Sequence, residues 1–528
     1  MELRDAPRAE PAFVDGLRAD LAAADYRVEA IEELVGAVAA DALHRAEAVP
    51  ALRATSRVAD DTHRGADRAL AALVRAFVLG VPVRRRDLAV ALERVGIAGA
   101  ERAGLVEAAG DGDDDEVRAL VDLRPYAAED GHGTVEWWIA SDLGELATGR
   151  ALRTDHVLGV GGASTTLAQA TVRGPRTSAL DLGAGCGVQA LHASRHCDHV
   201  TATDISARAL AFTRFNAALA GLPEARLDTR AGSMLEPVAG ERFDLVVSNP
   251  PFVITPRVPG VPEYEYRDGG QAGDTLVRDL VERVGDVLEP GGVAQLLANW
   301  EIGRGQEWHE RVGQWVDASG LDAWVVQREL LDPAQYAETW IRDGGTTPER
   351  DRAAWAQRYG AWLDDFASRD VEAVGFGVVT LRKPTDEGRA RLRRLEEITG
   401  TVRQPLGPAV AASLAAHDWL AARDDQALGD ERLVVAPDVT EERYGTPGAP
   451  DPAVLLLRQG GGFGRAVQLG TATAGFVGVC DGELTVGQIV GALGALLGVP
   501  ADEVAADVLP VARGLVRDGL LTPAAHPS

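Results

Sequence analysis

The chain contains 528 residues, of which 46% are hydrophobic, and it carries a formal net charge of −27 with a pI near 4.8. A chain of this length is too long for one hydrophobic core, so we expect two or three domains. The acidic charge argues against a protein that is held on nucleic acid by its overall electrostatic field, although a local basic groove would be enough for such binding.

Cysteine usage and hydropathy exclude several classes of protein. The three cysteines, Cys186, Cys197 and Cys480, are too few and too widely spaced for a disulfide framework or a zinc site. The N-terminal residues lack the apolar core of a signal peptide, and no apolar run approaches the length of a membrane-spanning helix. We therefore expect a cytoplasmic protein without a metal ion or a membrane partner.

Residues 1–150 are predicted to form a helical, winged-helix-like N-terminal domain. From the N-terminus to about residue 125, apolar residues recur at helical spacing, as at Phe13 and Leu17. Residues 117–126 and 134–141 then look like two strands joined by a short connection that contains glycine. Helices followed by such a hairpin are typical of a winged-helix module.

Residues 151–384 are predicted to form an α/β domain, because strands alternate with helices in this part of the chain. The predicted strands are 178–182, 199–204, 225–231, 243–248, 293–299, 323–329 and 375–382. We therefore expect a seven-stranded Rossmann-like core. Residues from about 332 to 370, between the last two strands, are predicted to be a helical insertion with its own small core.

Residues 385–528 are predicted to form a second winged-helix-like domain. The predicted elements are a charged helix at 386–398, strands at 453–458 and 466–469, and helices at 485–497 and 503–518.

Three glycines follow the first predicted α/β strand, at Gly183, Gly185 and Gly187. Glycines at alternate positions let the backbone turn sharply and let a ligand approach it, while the helix that follows exposes its first N–H groups. Asp204 ends the next strand, about where an acidic residue binds ribose hydroxyls in dinucleotide sites. The spacing is Gly-x-Gly-x-Gly, whereas a Rossmann dehydrogenase has Gly-x-Gly-x-x-Gly.

The fourth predicted strand ends at the sequence Asn249-Pro250-Pro251-Phe252. Because the prolines fix φ and the first lacks an N–H, the chain leaves the strand ladder in a stiff corner. We expect Asn249 Oδ1 and the Pro250 carbonyl to accept both hydrogens of a planar amine, with Phe252 stacked on its face. The alternative interpretation is a strand that ends in an ordinary Pro-Pro turn.

Loops at the ends of successive strands are expected to meet at one crevice. These loops are residues 181–187, 204–206 and 232–234, and the Asn-Pro-Pro-Phe corner ends the fourth strand beside them. In an open α/β sheet, ligands bind at this carboxyl edge.

Taken together, these motifs resemble the class I S-adenosylmethionine-dependent methyltransferases, specifically the "small" methyltransferase group that modifies planar nitrogens. The resemblance covers about residues 154–384. It implies that S-adenosyl-L-methionine is the cofactor and that its methyl group passes directly, in line, to the acceptor nitrogen. No dedicated general base is required. Glu265 and Asp268 lie near the corner in sequence, but they are equally well interpreted as loop carboxylates.

The resemblance also implies roles for individual residues. The glycine loop would hold the methionine part of the cofactor, the acid after the second strand would bind the ribose, and the residues after the third strand would flank the adenine. The implied cofactor-binding residues are Asp181, Gly183, Ala184, Gly185, Gly187, Asp204, Ile205, Ser233, Met234 and Asn249. The implied catalytic residues are Asn249, Pro250, Pro251 and Phe252. Ser233 departs from the family pattern, because many members carry Asp or Asn at this position.

Two substrates stay open at this point. Residues 264–270 look like the release-factor glutamine methyltransferases, whose substrate is a peptide amide. Residues 247–252 and 297–300 look like the ribosomal RNA guanine and adenine N-methyltransferases. The winged-helix-like flanks favour RNA, so an exocyclic base amine of ribosomal RNA is the first expectation. The acidic charge favours the alternative, a glutamine of a translation factor or ribosomal protein.

Two other classes of function fit less well. An inactive cofactor-binding scaffold would not need intact Asp181, Asp204 and Asn249. A transcription regulator built on the terminal domains would need a basic recognition helix, whereas residues 485–497 contain no Lys or Arg.

Overall fold

The computed structural model describes residues 5–45, 47–59, 65–149, 152–386, 388–448 and 452–524. The chain divides into two compact units. The first comprises Met1–Ala168, Gly174–Thr385 and Arg393–Glu397, and the second comprises Gln169–Arg173, Asp386–Leu392 and Ile398–Ser528. The first unit thus contains both the helical N-terminal region and the α/β region, and the domain boundary at residue 150 stays a prediction.

The first unit begins with short helices that bury one face. They are α1 (Pro11–Ala23), α2 (Val28–Val35), α3 (Ala37–His44), α4 (Val49–Ala59), α5 (Gly65–Leu73), a π-helical turn (Val74–Val78), α6 (Arg85–Ala91) and α7 (Gly96–Ala103). Val14, Leu17 and Leu21 of α1 are buried at the spacing of one helix face. The predicted helical character of this region is confirmed.

Five strands follow or interrupt these helices. They are β1 (Val83–Arg84), β2 (Val106–Ala108), β3 (Glu116–Ala119), β4 (Asp122–Asp130) and β5 (Gly133–Ser141). The first three form a sheet in the order β1-β3-β2, and β4 and β5 form a hairpin. The prediction of one strand at 117–126 is wrong, because β3 and β4 have different pairing partners. The chain bends between them at Leu120, whose N–H donates to Leu105 O at 2.8 Å.

An eight-stranded sheet with helices on its connections forms the α/β region. Its strands are β6 (Arg176–Leu182), β7 (Cys197–Asp204), β8 (Leu227–Ala231), β9 (Phe243–Ser248), β10 (Leu288–Gly303), β11 (Asp322–Leu331), β12 (Val371–Arg382) and β13 (Arg393–Glu397). Its helices are α8 (Glu145–Thr148), α9 (Gly162–Ala170), α10 (Val188–Ser194), α11 (Ala207–Leu219), α12 (Thr275–Arg283), α13 (Trp308–Ser319), α14 (Pro333–Asp343) and α15 (Arg352–Ser368), with 3₁₀ turns at Glu224–Arg226, Glu236–Val238 and Val284–Val287. All seven predicted strands are present, and the Rossmann-like α/β class is confirmed.

The strand order places a crevice in the middle of this sheet. The order is β13-β11-β12-β10-β9-β6-β7-β8, and β12 runs antiparallel to both of its neighbours. From β6 the chain winds outward to β7 and β8, then returns to β9 and winds outward in the opposite direction to β10. The connections after β6 and β9 therefore diverge at neighbouring strand ends, which is where open α/β sheets bind ligands.

The predicted charged helix at 386–398 is wrong, because residues 393–397 form the edge strand β13. This strand pairs in parallel with β11. Trp324 Nε1 donates to Glu396 Oε1 at 2.7 Å, and Gln327 Nε2 donates to Glu397 Oε2 at 2.7 Å. The partners that stabilise the strand come from a distant part of the chain, so tertiary pairing overrides the local helix propensity.

Helices α14 and α15 form the predicted insertion between β11 and β12, and the insertion has its own small core as expected. Tyr336, Trp362 and Phe366 are buried in this core. Val253 and Ile254, which follow the Asn-Pro-Pro-Phe corner, belong to the same cluster. The insertion is therefore packed against a segment that leaves the crevice.

The N-terminal helices and the sheet share one core within the first unit. Phe215 of α11 and Leu17 of α1 are both fully buried in the same apolar cluster. Asn216, also on α11 and fully buried, donates from Nδ2 to Ala140 O and Cys186 O, each at 2.8 Å. One side chain thus joins the β4–β5 hairpin to the loop after β6.

The second unit combines helices with two small sheets. Its elements are α16 (Gly407–Ala421), α17 (Asp425–Gly429), β14 (Arg432–Val435), β15 (Val439–Tyr444), β16 (Val454–Gln459), β17 (Ala466–Leu469), α18 (Thr471–Val477), β18 (Asp481–Thr485), α19 (Val486–Leu497), α20 (Ala501–Arg517) and β19 (Leu521–Pro523). The strand orders are β18-β14-β19 and β15-β16-β17. The predicted strands and helices from residue 453 onward correspond to β16, β17, α19 and α20, whereas the winged-helix-like assignment of both terminal regions stays a prediction. Within the described ranges, no helix combines the length and the apolar character that crossing a bilayer requires.

Candidate active site

A cleft opens at the carboxyl ends of β6, β7, β8 and β9, and we call it the strand-end cleft. Most residues predicted for the site line it. They are Gly183, Ala184, Gly185, Asp204, Ile205, Ser233, Met234, Asn249, Pro250 and Pro251. The described lining does not include Asp181, Gly187 or Phe252. The tertiary structure thus brings together residues from four separate loops.

The loop after β6 turns sharply at its three glycines. Gly183, Gly185 and Gly187 have φ angles of +75°, +55° and +84°, which residues with a side chain rarely adopt. At Gly187 crowding adds to this requirement, because a Cβ would lie 2.8 Å from Thr213 Cγ2. At Gly183 and Gly185 no other heavy atom would lie within 4 Å of a Cβ. The loop therefore leaves open space against its backbone.

Asp181 lies beneath this loop, where its side chain is almost fully buried. Its Oδ2 accepts a hydrogen bond of 2.8 Å from Ala190 N in α10. Burial raises the pKa of the Asp181 carboxyl to about 7. The geometry indicates that Asp181 fastens the start of α10 under the glycine loop, and a direct contact with a cofactor stays a prediction.

Asp204 ends β7 and binds backbone groups of two loops. Its Oδ2 accepts from Gly185 N at 2.9 Å, and its Oδ1 accepts from Ser206 N at 2.8 Å. Burial raises the pKa of this carboxyl. Ile205 follows with 58% of its surface exposed, an unusual state for a large apolar side chain that lines a cleft. An acidic and an apolar group therefore stand side by side.

Ser233 and Met234 follow β8 and close the same end of the cleft. Met234 has φ of +48°, an uncommon conformation for a residue other than glycine. The turn before it is tied back to β7, because Gly232 N donates to Asp204 O at 3.0 Å. The strained backbone at Met234 is held by this neighbouring structure.

Asn249 begins the corner at the end of β9. The strand is anchored just before it, because Ser248 Oγ donates to Leu182 O of β6 at 2.7 Å. Asn249 Oδ1 is buried and has no hydrogen-bond partner among the described residues. Buried acceptors are normally paired in native proteins, so an unpaired one in a cleft indicates a ligand donor.

Phe252 turns away from the strand-end cleft. Its backbone pairs with Asp268 in an isolated β-bridge. Its ring lies edge-on to Trp340 and Phe376, each at 6.5 Å between centroids. This ring therefore packs against the insertion, and its predicted stacking on an acceptor group stays a prediction.

Two segments that the sequence did not indicate as lining complete the cleft, at residues 155–159 and around Tyr266. The buried ring of His156 meets the Tyr266 ring edge-on at 6.1 Å. Burial lowers the pKa of His156 and raises the pKa of Tyr266, so both side chains are neutral near pH 7. No pattern in the sequence marked residues 155–159, because they carry no motif and lie well before the corner in the chain.

Asp268 and Glu265 also line the cleft, but in different ways. Both oxygens of Asp268 are engaged, because Thr255 Oγ1 donates to Oδ1 and Tyr264 N donates to Oδ2. Burial raises the pKa of Asp268. Asp268 therefore shapes the loop after the corner, while Glu265 is exposed.

The charged side chains that line the cleft are all acidic. Four carboxylates line it, those of Asp155, Asp204, Glu265 and Asp268, and the described lining contains no Lys or Arg. Such a surface attracts cations and disfavours phosphate groups.

A family model described as "Methyltransferase small domain" matches residues 159–319. The matched range contains the glycine loop, Asp204 and the Asn249 corner. The chain contains a methyltransferase small domain. The match ends at residue 319, the last residue of α13, so the insertion formed by α14 and α15 lies beyond the matched range. Two models described as domains of unknown function, DUF7059 and DUF7782, match residues 23–120 and 411–523.

Several curated proteins are similar to part of this chain. "Release factor glutamine methyltransferase" of Geobacter sulfurreducens is 36% identical over 148 residues, 26% of this chain and 50% of that protein. "Ribosomal protein uL3 glutamine methyltransferase" of Bradyrhizobium diazoefficiens is 34% identical over 137 residues, 24% of this chain and 41% of that protein. "Ribosomal RNA small subunit methyltransferase C" of Alcanivorax borkumensis is 32% identical over 123 residues, 23% of this chain and 32% of that protein. The chain spans half or less of the length of these relatives.

The cleft of the small domain fits S-adenosylmethionine. The open space at Gly183 and Gly185 admits a ligand chain against the backbone, and Asp204 offers a carboxylate to ribose hydroxyls. The exposed Ile205 offers an apolar face to a base. Because the described lining holds carboxylates and no Lys or Arg, it also suits a sulfonium cation.

Proposed function

We propose that this chain is an S-adenosylmethionine-dependent N-methyltransferase whose acceptor is the side-chain amide of a protein glutamine. The observation that carries the proposal is the unpaired Asn249 Oδ1, buried where β9 meets the cleft. A buried acceptor without a partner costs about 1–3 kcal/mol. A planar NH₂ group of a substrate would offset that cost, because it donates two hydrogen bonds in one plane.

When bound, S-adenosylmethionine supplies a methyl group on a sulfonium, and transfer forms the N–C bond as the C–S bond breaks, with one proton released from nitrogen to water. Asn249 Oδ1 and the Pro250 carbonyl accept the two N–H groups and so fix the plane of the acceptor. Good alignment of this kind is worth up to about 7–11 kcal/mol of the barrier. The same two oxygens stabilise the positive charge that grows on the nitrogen.

The charges of the cleft favour a peptide amide over a nucleic acid. RNA binding depends on cations that neutralise phosphates, and the described lining offers four carboxylates and no Lys or Arg. The relatives from Geobacter sulfurreducens and Bradyrhizobium diazoefficiens are both named as glutamine methyltransferases. We therefore place the glutamine substrate ahead of the RNA substrate that the sequence favoured, and propose a translation factor or ribosomal protein as the partner.

A base amine of ribosomal RNA is the second candidate. The relative from Alcanivorax borkumensis, named as a ribosomal RNA methyltransferase, supports it. An exocyclic base amine is also a planar NH₂ group, so the pair formed by Asn249 and Pro250 fits it equally well.

The test is transfer of tritiated methyl from S-adenosylmethionine by the full chain, in a lysate freed of small metabolites. We expect label that survives ribonuclease, is released by protease and yields N5-methylglutamine after complete proteolysis. An Asn249→Ala variant at equal concentration gives the background. If ribonuclease releases the label, the acceptor is RNA and the glutamine proposal is wrong. Absence of label, with binding of S-adenosylhomocysteine retained, would support a cofactor-binding scaffold and overturn both.

A further inference from the structure

Tyr336 of the insertion reaches the segment that leaves the active-site corner. Its hydroxyl accepts a hydrogen bond of 3.0 Å from Ile254 N and one of 2.7 Å from Asn299 Nδ2 of β10. Tyr336 and Asn299 are 0% exposed and Ile254 is 1% exposed. The hydroxyl is therefore a buried junction between the insertion, the central sheet and the chain just past the corner.

The ring of Tyr336 is held on several sides. It stacks on Phe376 at 5.5 Å, meets Phe366 edge-on at 5.5 Å and lies 5.8 Å from Trp362. Burial raises the pKa of Tyr336, so the hydroxyl stays protonated over the usable pH range. Because the ring cannot move freely, the hydroxyl oxygen of Tyr336 is held at one point, and it can therefore fix the position of the backbone at Ile254.

The backbone after the corner is tied at consecutive residues. Phe252 forms the β-bridge with Asp268, Val253 N donates to Arg267 O at 2.8 Å, and Ile254 N donates to Tyr336. The prolines before them have little freedom of their own, because their rings fix φ. The orientation of Asn249 and Pro250 in the cleft is therefore set from both ends, by β9 on one side and by these three ties on the other.

The insertion also holds the loop that lines the other wall of the cleft. Arg267 Nη1 donates to Trp340 O at 2.9 Å and to Asp343 Oδ2 at 2.6 Å. Tyr266 donates from its hydroxyl to the same Asp343 oxygen at 2.9 Å. Helix α14 thus contacts both segments that follow Asn249 in the cleft.

We propose that Tyr336 is a positioning residue for the acceptor nitrogen, acting through Ile254 to hold Asn249 and Pro250 at their working angle. The proposal rests on the proposed function. Tyr336 lies outside the range matched by the small domain, residues 159–319, so the insertion adds a constraint that the matched domain does not contain. Loss of the Tyr336 hydroxyl should lower the rate of methyl transfer. It should leave the cofactor-binding loops unchanged, because Tyr336 does not contact them.

The test compares Tyr336→Phe with wild type in the full chain. This substitution keeps the ring and removes only the hydroxyl, so we expect kcat to fall roughly 10–100-fold, the effect of a small misplacement of reacting groups. The KM for S-adenosylmethionine and the Kd for S-adenosylhomocysteine should be unchanged. Tyr359→Phe is the matched control, since its hydroxyl donates to Ala334 O within the same insertion at 3.2 Å. It should leave kcat at the wild-type level.

Hydrogen-exchange mass spectrometry gives a readout that does not depend on turnover. Peptides that contain Ile254 should exchange faster in Tyr336→Phe than in wild type and Tyr359→Phe, while peptides of the glycine loop should not change. Wild-type kcat, or an unchanged exchange of Ile254, would overturn the proposal. Wild type that transfers no methyl group would instead overturn the proposed function, and exchange at Ile254 would still decide whether Tyr336 holds this segment.

A second variant covers the case in which Tyr336→Phe fails to fold. Asn299→Ser removes the hydrogen bond from Asn299 Nδ2 to the Tyr336 hydroxyl. The ring of Tyr336 keeps its aromatic contacts, and Ile254 N still donates to the hydroxyl. We expect a smaller fall in kcat with the same unchanged Kd for S-adenosylhomocysteine. A fall in kcat together with a rise in this Kd would indicate a general structural effect and overturn the positioning role.

Discussion

The backbone N–H of Gly185 donates a hydrogen bond of 2.9 Å to Asp204 Oδ2. The acid at the end of β7 therefore holds the glycine loop at the end of β6, and its second oxygen binds Ser206 N before α11. Burial raises the pKa of this carboxyl despite these backbone donors. A single carboxylate thus aligns the two loops that are predicted to bind the cofactor.

Asp204→Ala should weaken binding of S-adenosylhomocysteine roughly 10–100-fold, which corresponds to about 1.4–2.8 kcal/mol. The variant removes the group expected to bind ribose and frees the glycine loop. Isothermal titration calorimetry measures the change. Asp198→Ala is the matched control, because Asp198 is exposed near the other end of β7 and should leave the affinity unchanged. Equal affinities for both variants would contradict the role of Asp204.

Asn249→Ala should lower the rate of methyl transfer by about 10²–10³, the usual effect of losing one preorganised hydrogen-bonding group at a reacting centre. Binding of S-adenosylhomocysteine should stay close to wild type, because the glycine loop and Asp204 are intact. Single-turnover kinetics with saturating cofactor separates the two effects. Asn249→Asp retains an acceptor oxygen and should keep more of the rate. A normal rate in Asn249→Ala would show that the corner does not hold the acceptor.

Gly187→Ala should lower the free energy of unfolding by about 2–4 kcal/mol, because it adds a strained backbone to a clash with Thr213. Gly240→Ala separates the two costs. Its φ of +85° matches the +84° of Gly187, and no other heavy atom would lie within 4 Å of its Cβ. We expect it to cost only about 1–2 kcal/mol. Urea denaturation measures both, and equal costs would show that crowding at Thr213 has no effect.

Because of the Asp181 carboxyl, the free energy of unfolding should fall as the pH rises towards neutrality. Its folded pKa is about 7, whereas an unfolded Asp has a pKa of about 3.9. Between these values the folded state retains a proton that the unfolded chain has lost, so the stabilisation is complete below the unfolded pKa and is lost as pH rises through the folded one.

Asp181→Asn should remove this pH dependence, since the amide oxygen still accepts from Ala190 N without becoming charged. Relative to wild type, its free energy of unfolding should rise by about 2 kcal/mol between pH 5.5 and pH 8. Urea denaturation at the two pH values gives the difference. A relative stability that falls over this interval would have the wrong sign for a buried carboxyl with a raised pKa.

Local patterns were enough to predict many elements of the fold. The run Leu245-Val246-Val247 is short, apolar and ended by prolines, and it forms part of β9 as expected. The helix predicted at 485–497 is present as α19. It begins with a capping box, in which Thr485 Oγ1 accepts from Gln488 N and Gln488 Oε1 accepts from Thr485 N. Signals of this kind depend on residues within one or two turns of each other.

The rest of the site came from residues that are distant in sequence. His156 lines the cleft without any motif of its own, and Tyr336 contacts the segment after the corner from an insertion. An aromatic residue in an insertion predicts a core, and this is where Tyr336 lies, yet its hydroxyl has a second role that only the fold reveals.

By itself, the sequence determined the seven strands, the glycine loop, the acid at Asp204 and the stiff corner at Asn249, because backbone sterics and hydrophobic runs act over a few neighbouring residues. Only the tertiary structure decided that residues 393–397 pair as a strand, that Asp181 lies beneath the cleft and that Phe252 packs on the insertion. It also decided that Asn249 Oδ1 is left unpaired. These outcomes depend on burial and on partners far along the chain, and local propensity carries no information about either.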